Sequence, residues 1–361
     1  MDLDRIFIKN ACPTAIGGQA VIDGVMMRGA ERTAITVRLP DGRMHIKTMP
    51  NKPKKRWMKV PIIRGVFAFF DSMVVGMKCL LYSADVQEVE LSKQEKEKKE
   101  EATSEVADGV QEKSDKSASK TSSSWLEKTF GEKWAWNLII YTTVIISLIV
   151  SIGIFIVLPT IVIGLIDGFI KNDILINLIE GIFRLILFFA YILAIGHMED
   201  IKKTFQYHGA EHKTIHCFEN NLELTPENAQ SFYTLHPRCG TSFLMFVMVI
   251  SIILFSFLGW PSLAIRILSR ILLIPVVAGL SYELLRWAGR SNGAFVKCLS
   301  IPGIYLQKLT TAEPTSEQLE IAICSLKAVR VPPDIEMYEG YCDNDGNLIE
   351  ERIISKKEAS Q

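Results

Sequence analysis

The 361-residue sequence has no excess of charge of one sign, because 40 Lys and Arg residues balance 40 Asp and Glu residues. This neutrality argues against a general nucleic-acid-binding protein, which would carry an excess of basic residues. The sequence also lacks a paired cysteine framework, since its seven cysteines are odd in number and scattered along the chain. We therefore expect reduced cysteines, located on the cytosolic side or in a membrane.

The N-terminal region also lacks two recognisable sequence features, a signal peptide and a phosphate-binding loop. The first 14 residues carry four charged side chains and no long apolar core, so we do not expect a secretory signal peptide. Glycines occur in GGQAVIDGVMMRG (17–29), but no Gly-Lys-Ser/Thr follows them, which excludes a phosphate-binding loop. Asp23 and Arg28 of this segment are candidate site residues, although its glycines favour a strand-and-turn role.

Hydrophobicity is strongly segregated along the chain. Apolar residues make up 48% of it although 22% are charged, so charged and apolar residues must occupy different segments. Four apolar segments, at about residues 138–166, 174–195, 243–258 and 262–285, are predicted to cross the bilayer, whose hydrocarbon core is about 30 Å thick. The lipid bilayer is the one partner that the sequence indicates, while protein partners and oligomeric state stay open.

Basic residues decide the predicted orientation. Lys128 and Lys133 precede the first span, and Lys202 and Lys203 follow the second one. Because cytosolic loops are enriched in Lys and Arg, we place both termini and the loop 197–242 in the cytosol, with the spans in a bacterial cytoplasmic membrane.

The predicted fold class is a mainly α membrane protein with about four transmembrane helices, a small N-terminal β-hairpin or sheet, a surface amphipathic helix and a cytosolic C-terminal helix. Strands are expected at residues 20–28, 33–39 and 44–49, with a hairpin turn between the last two. The apolar run 62–84 carries charges seven residues apart, which fall on one helical face. It is predicted to be the surface helix, with an additional span as the alternative.

Four regions are predicted along the chain. Residues 1–85 form the β-rich cap with its amphipathic helix, and residues 86–124 form a disordered charged linker that is helical at its start. Residues 125–300 form the membrane domain, and residues 301–361 form the cytosolic C-terminal helix and tail. The linker prediction follows from composition, because too few apolar residues are present to offset the entropy of ordering. The C-terminal helix is expected after Pro314, and residues beyond about 331 are expected to form a loop and a charged tail.

Histidine is the main chemical signal, because five of the six histidines lie between residues 197 and 236. His208, His212 and His216 are four residues apart, so on a helix they share one face, and their imidazoles can converge on zinc or another divalent metal. The segment also fits the pattern H-x-x-E-H, in which two histidines bind zinc and Glu211 would act as the general base.

The remaining ligands stay open at the level of sequence. His236 and Cys239, three residues apart in a Pro/Gly turn, resemble half of a zinc knuckle. Candidates for the third ligand of an open catalytic site are His216, Glu219, Cys239 and Glu283. A closed structural site made of the same His and Cys residues is one alternative, and a histidine cluster without metal is another. For Glu283 an ion pair with a nearby arginine such as Arg286 is the favoured interpretation.

Several long motifs resemble those of a known family. GGQAVIDGVMMRG, YHGAEHKTIHCFE, LHPRCGTSF and SYELLRWAG resemble segments of the YqhQ-like bacterial membrane-protein family, domain of unknown function 1385. The resemblance covers most of the chain except 86–124 and about the last thirty residues. It implies a membrane protein of the kind often labelled a predicted metal-dependent enzyme, without a known substrate. One departure is Asp23, where the family's glycine motif is expected to carry the longer glutamate.

Two functional hypotheses follow. The first is a membrane zinc-dependent hydrolase with Glu211 as catalytic base and with its metal ligands among His208, His212, His216, His236 and Cys239. The second is a non-enzymatic membrane assembly or scaffold protein, in which a structural His/Cys site orders the cytosolic cap. A transporter is less expected, because the spans carry few charges apart from Glu180 and Arg184, which are one turn apart and can pair.

Overall fold

The computed structural model describes residues 14, 16–51, 58, 60–105, 132–288, 294–331, 336–343 and 348–354. The chain forms two compact units. Unit 1 comprises Met1–Lys93, Phe189–Leu254 and Leu273–Gln361, and unit 2 comprises Gln94–Phe188 and Phe255–Leu272.

Unit 1 contains a six-stranded antiparallel sheet in which each strand pairs with the next one along the chain. Its strands are β1 (Gly17–Val21), β2 (Gly24–Arg28), β3 (Arg32–Arg38), β4 (Met44–Pro50), β5 (Met337–Cys342) and β6 (Leu348–Ile354). The hairpin predicted between β3 and β4 is confirmed, since Arg38 pairs with Met44 across it.

The segment predicted as one strand at 20–28 forms two strands instead. Val21 pairs with Gly24, and the two residues between them form the turn that joins β1 to β2. Asp23 adopts a positive φ of 48° in this turn. Aspartate tolerates this left-handed conformation better than most residues, because its short polar side chain can bond to the local backbone.

The prediction of a loop and tail beyond residue 331 is wrong for the described residues there, because β5 and β6 extend the sheet. β5 pairs with β4, with Met44 opposite Cys342. Strands this short, separated from β4 by almost 290 residues, carry no local signal of their partner. Their hydrogen bonds are made only once the whole of unit 1 is assembled.

Both faces of the sheet are apolar near its centre, because inward and outward positions alternate along each strand. Val25, Met27 and Ala34 pack on one side with buried residues of two helices, while Met26 and Ile35 pack on the other side against a third helix. A sheet with two covered faces fixes its register strongly, since a slip by one residue would exchange its two sets of side chains.

Helices make up most of the rest. They are α1 (Ile63–Glu105), α2 (Glu132–Ile152), α3 (Leu158–Gly164), α4 (Asp173–Ile195), α5 (Glu199–Glu219), α6 (Pro226–Gln230), α7 (Gly240–Ser256), α8 (Leu263–Ala288), α9 (Ala294–Thr310) and α10 (Ser316–Val329). A π-helical segment, Gly153–Val157, joins α2 to α3. The predicted C-terminal helix is α10, which begins with a capping box between Thr315 and Gln318. α1 runs on to Glu105, into the region predicted as linker.

Within the described ranges, four helical segments are long and apolar enough to cross a membrane: Ile63–Ser92, Tyr141–Gly164, Asp173–Ile195 and Leu263–Ala288. The protein is therefore a mainly α membrane protein with four such helices, as predicted, but their membership differs. α7 has only 17 residues, which extend about 26 Å at about 1.5 Å per residue and fall short of the hydrocarbon core. The N-terminal part of α1 joins the set in its place, so the surface location of that helix stays a prediction.

Polar interactions expected from the sequence are present within each unit. In unit 2, Arg184 Nη2 lies 2.8 Å from Glu180 Oε1, which confirms that pair. In unit 1, Glu283 forms an ion pair, but its partner is Arg64 rather than the predicted Arg286. The six cysteines that the structure describes form no disulfide.

Candidate metal centre

The candidate site is built on α5, the helix that carries the three histidines spaced four residues apart. The prediction that they lie on a helix is confirmed. Gly209 lies inside this continuous helix, between His208 and His212. Glycine in a helix interior lowers helix stability by about 1 kcal/mol. Close packing explains the glycine, because a Cβ at Gly209 would lie 2.1 Å from the backbone oxygen of Ala312.

Three predicted ligands converge. One nitrogen of His208, one of His212 and the Sγ of Cys239 all lie within 4.8 Å of one another. His208 Nε2 is 3.2 Å from Cys239 Sγ, and the two imidazole centroids are 4.4 Å apart. Zinc–ligand bonds of about 2.0 Å to nitrogen and 2.3 Å to sulfur place ligand atoms roughly 3–4 Å apart. The spacing of this group therefore fits one tetrahedral ion.

Backbone carbonyls orient both imidazoles of the group. Nδ1 of His208 donates to the carbonyl of Thr310 at 2.8 Å, and Nδ1 of His212 donates to that of Thr234. A carbonyl oxygen only accepts hydrogen bonds, so each Nδ1 carries the proton and each Nε2 is left as the ligand atom. His212 Nε2 is buried and has no hydrogen-bond partner among the described residues.

His216 and His236 lie beside this group but outside it. His216 Nε2 donates to the carbonyl of Leu235 at 2.9 Å. His236 Nδ1 accepts from the backbone N–H of Arg238 at 3.3 Å, and its Nε2 lies 3.6 Å from Glu219 Oε2. Burial lowers the pKa of His216 to about 4 and that of His236 to about 3, so both imidazoles are neutral at pH 7. Their role as metal ligands stays a prediction.

Glu211 is 5% exposed and lies next to His212 in the helix. Its carboxylate accepts the backbone N–H of Gly18 in β1. Burial raises the pKa of Glu211, and the adjacent His212 and His208 act in the opposite direction. A carboxylate with a raised pKa in a buried site is the usual condition for general acid–base chemistry.

Cys239 and His208 form a pair whose pKa values shift in opposite directions. Burial would raise the pKa of the Cys239 thiol, but His212 and His208 more than offset it and hold the pKa well below its usual value. Burial would lower the pKa of His208, whereas the Cys239 thiolate and Glu211 raise it to about 9. Without a metal these shifts favour a protonated His208 imidazole beside a Cys239 thiolate. A divalent cation would compete for His208 Nε2 and Cys239 Sγ.

A cavity of about 450 Å³ in unit 1 adjoins the group. Its lining includes Glu211, His212 and Cys239, together with backbone of the glycine motif at Gly17 and Gly18. The candidate base and two of the three candidate ligands therefore share one accessible space that can admit water and a substrate.

Sequence reasoning had named Asp23, Arg28 and Glu219 as candidates, but it missed Asp71 and Arg238, which line this cavity. Arg28 lines it and bonds to Asp71 of α1 at 2.6 Å, whereas Asp23 pairs with Lys203 and lies outside the lining. Arg238, next to Cys239, forms an ion pair with the buried carboxylate of Glu219. Burial would raise the pKa of Glu219, but His236, the backbone N–H of Thr14 and Arg238 lower it to about 2.

These partners could be found only in three dimensions, because each pair joins distant segments of the chain. Spacing had located the helical face of α5 correctly. The spacing of residues in the sequence did not distinguish Cys239 from Glu219 or Glu283 as a third ligand.

Comparison with known proteins confirms the resemblance drawn from the motifs. Residues 60–331 match the family described as protein of unknown function DUF1385. The chain is 33% identical over 319 residues to the uncharacterized protein YqhQ of Bacillus subtilis (strain 168), covering 87% of this chain and 92% of that relative. No solved structure matches it. The chain therefore belongs to the DUF1385 family.

Proposed function

We propose that this protein is a membrane metal-dependent hydrolase that holds zinc or another divalent metal with His208, His212 and Cys239. The observation that carries the proposal is the convergence of two Nε2 atoms on one thiolate, with both Nδ1 protons already bound to carbonyls. Imidazole and thiolate donors select zinc over magnesium or calcium, which prefer oxygen ligands.

Three ligands suit a catalytic site better than a structural one. Structural zinc sites are closed by four protein ligands, whereas catalytic sites keep one position for water or substrate. The group that converges among the described residues has three members. A bound zinc ion would lower the pKa of a water molecule and polarise a carbonyl or phosphoryl oxygen.

Glu211 would serve as the general base. It lines the cavity beside His212, so a water molecule that enters this space comes within reach of its carboxylate. The Gly18 N–H holds one side of the carboxylate and thereby orients it. Glu211 would take the proton from the attacking water and pass it to the leaving group.

Elemental analysis of the purified protein tests the metal site. Wild-type protein should carry about one equivalent of zinc, and His212→Ala and Cys239→Ser should each lose most of it. His197→Ala is the matched control, because His197 is exposed and bonds through Nδ1 only to the carbonyl of Leu193. Equal zinc content in His212→Ala and wild type would refute the site.

Complementation of a deletion strain tests the catalytic role. Glu211→Gln keeps the shape of the side chain and removes its basicity, so it should retain zinc and fail to complement. Growth with Glu211→Gln at wild-type efficiency would show that Glu211 is not the general base. Complementation by metal-free protein would contradict the proposal of a metal-dependent hydrolase altogether.

The second candidate function is a membrane assembly protein whose His/Cys cluster is structural. It is favoured by the near-complete burial of His212 and Glu211, which are 1% and 5% exposed. Under this alternative Glu211→Gln is silent, while His208→Ala lowers the melting temperature and impairs assembly. The two variants together therefore separate the two functions.

A further inference from the structure

Unit 2 contains a second polar cluster, within helices long and apolar enough to cross a membrane. Glu180 of α4 is 1% exposed and accepts hydrogen bonds from two arginines. Arg184 Nη2 lies 2.8 Å from its Oε1, and Arg270 Nη2 lies 2.5 Å from its Oε2. Arg270 also donates to Asn177 at 3.2 Å. The single carboxylate of this cluster is therefore fully used by two guanidinium groups.

Arg266 lies one turn before Arg270 on α8, and no acidic side chain that the structure describes forms an ion pair with it. It is 7% exposed, and its Cζ sits 3.8 Å from the centroid of the Trp260 ring. Among the described residues, its Nε and Nη1 have no hydrogen-bond partner, and both atoms are buried. Asp173 accepts the backbone N–H of Trp260 and forms no ion pair with Arg266.

The charge of the cluster is unbalanced. Among the buried side chains that the structure describes in this cluster, Arg184, Arg266 and Arg270 contribute three positive charges and Glu180 one negative charge, an excess of two that does not count the exposed Asp173. An uncompensated charge is costly inside a protein and more so in a membrane, where charged residues normally pair or face a ligand. The stacked Trp260 ring offsets only part of this cost, because it offers no hydrogen-bond acceptor to the guanidinium edge.

A buried guanidinium group with unsatisfied N–H donors at Nε and at Nη1 can donate to the oxygens of a phosphate. We propose that Arg266, stacked on Trp260, binds an anionic phosphate within unit 2. The phosphate belongs either to an anionic lipid headgroup or to a free phosphate ion. This site is separate from the candidate metal centre, and the inference does not depend on the proposed hydrolase.

Position along the helices is consistent with access by a headgroup. Arg266 is three residues from the start of α8, so it lies about 5 Å along the helix axis from its end. Ile265, next to Arg266 in sequence, and Phe257 and Leu258, which precede α8, are exposed apolar side chains suited to acyl chains. A lipid phosphate bound here would enter from this helix end and displace the side chains that bury Nε and Nη1, while its chains remain in the apolar layer.

The experiment compares the protein in nanodiscs of pure phosphatidylcholine with nanodiscs containing equal parts of phosphatidylcholine and phosphatidylglycerol. Native mass spectrometry counts retained phosphatidylglycerol, and thermal denaturation measures its effect. Wild type should retain one phosphatidylglycerol and melt at a higher temperature in the mixed discs. Arg266→Gln should lose both effects, and Arg266→Lys, which keeps the charge but not the fork, should be intermediate.

Lys171→Gln is the matched control, because Lys171 is an exposed basic residue and its removal changes the net charge equally. It should leave retention and melting unchanged. Arg266→Gln removes an unpaired buried charge, so it should fold at least as well as wild type in phosphatidylcholine. This comparison separates loss of the ligand from loss of the fold.

Titration with inorganic phosphate in phosphatidylcholine nanodiscs distinguishes a lipid headgroup from a free phosphate ion as the bound anion. Stabilisation by inorganic phosphate that depends on Arg266, without retained phosphatidylglycerol, identifies a free anion. Equal retention and equal melting shifts in wild type and Arg266→Gln, with both probes, would overturn the site.

Discussion

Gly18→Ala should impair the candidate base while leaving the metal ligands in place. A Cβ at Gly18 would lie 2.5 Å from the backbone oxygen of Met26 and 2.9 Å from Glu211 Cδ. Real Cβ contacts are almost never closer than 3.0 Å, so β1 must move about half an ångström away from Met26 of β2 and about a tenth of an ångström away from Glu211. The Gly18 N–H that orients this carboxylate moves with the strand.

The expected loss of activity follows from that displacement. A misplacement of about 1 Å at a catalytic group costs up to roughly 100-fold in rate, so half that distance predicts a loss of about tenfold. The assay is complementation of the deletion strain at titrated expression, with zinc content measured on the same preparations. Zinc should remain near one equivalent, because none of His208, His212 and Cys239 is touched.

Two glycine variants serve as controls. A Cβ at Gly17 would meet nothing within 4 Å, so Gly17→Ala should behave as wild type. A Cβ at Gly29 would lie 2.4 Å from Val329 Cγ1, so Gly29→Ala should disturb packing against α10 and lower the melting temperature without acting on Glu211. The reasoning is refuted if Gly18→Ala complements as well as Gly17→Ala, or if its defect parallels the loss of melting temperature seen with Gly29→Ala.

Three further predictions concern stability. Removal of metal with a chelator should lower the melting temperature of the wild type. It should have little effect on Cys239→Ser, which has already lost a ligand. Equal shifts of melting temperature in the two proteins would contradict the metal site. Glu219 has a folded-state pKa lowered from 4.5 to about 2, so its contribution to stability is present above about pH 4.5 and is lost as the pH falls towards 2. Glu219→Gln should flatten the melting temperature across that range, and an unchanged pH profile would show that another group controls it. Leu319→Ala in α10, which is fully buried, should cost about 2–5 kcal/mol of unfolding free energy, whereas Leu222→Ala, at 46% exposure, should cost much less in the same denaturation measurement.

Local patterns in the sequence were sufficient for several elements. A spacing of four located His208, His212 and His216 on one helical face, because the helical period is independent of what the helix packs against. Long apolar runs identified membrane-crossing helices for the same reason, since hydrocarbon thickness sets their length. The sequence was a poorer guide to α1 and α7, whose lengths depend on where each helix begins and ends.

Selection among the candidate ligands required the tertiary structure. His216 and His236 have the same chemistry as His208 and His212, but only the nitrogens of His208 and His212 lie within 4.8 Å of each other and of Cys239 Sγ in the group that the described residues form. In the same way, Glu283 meets Arg64 across 219 residues of sequence. The partner of each side chain depends on which groups from distant segments lie next to it in the fold. The hydrogen-bonding capacity of the side chain alone does not determine that partner.

The sequence by itself determined the balanced charge, the segregation into apolar helices and charged segments, the family and the helical histidine face. Each of these depends on composition or on a local period. Only the tertiary structure decided that β5 and β6 complete the sheet, that Cys239 joins His208 and His212, that Gly18 N–H meets Glu211, and that Arg266 pairs with no acid in the part of the chain that the structure describes. These are encounters between segments far apart in the chain, and their geometry is set by packing around the sheet in unit 1 and among the apolar helices in unit 2.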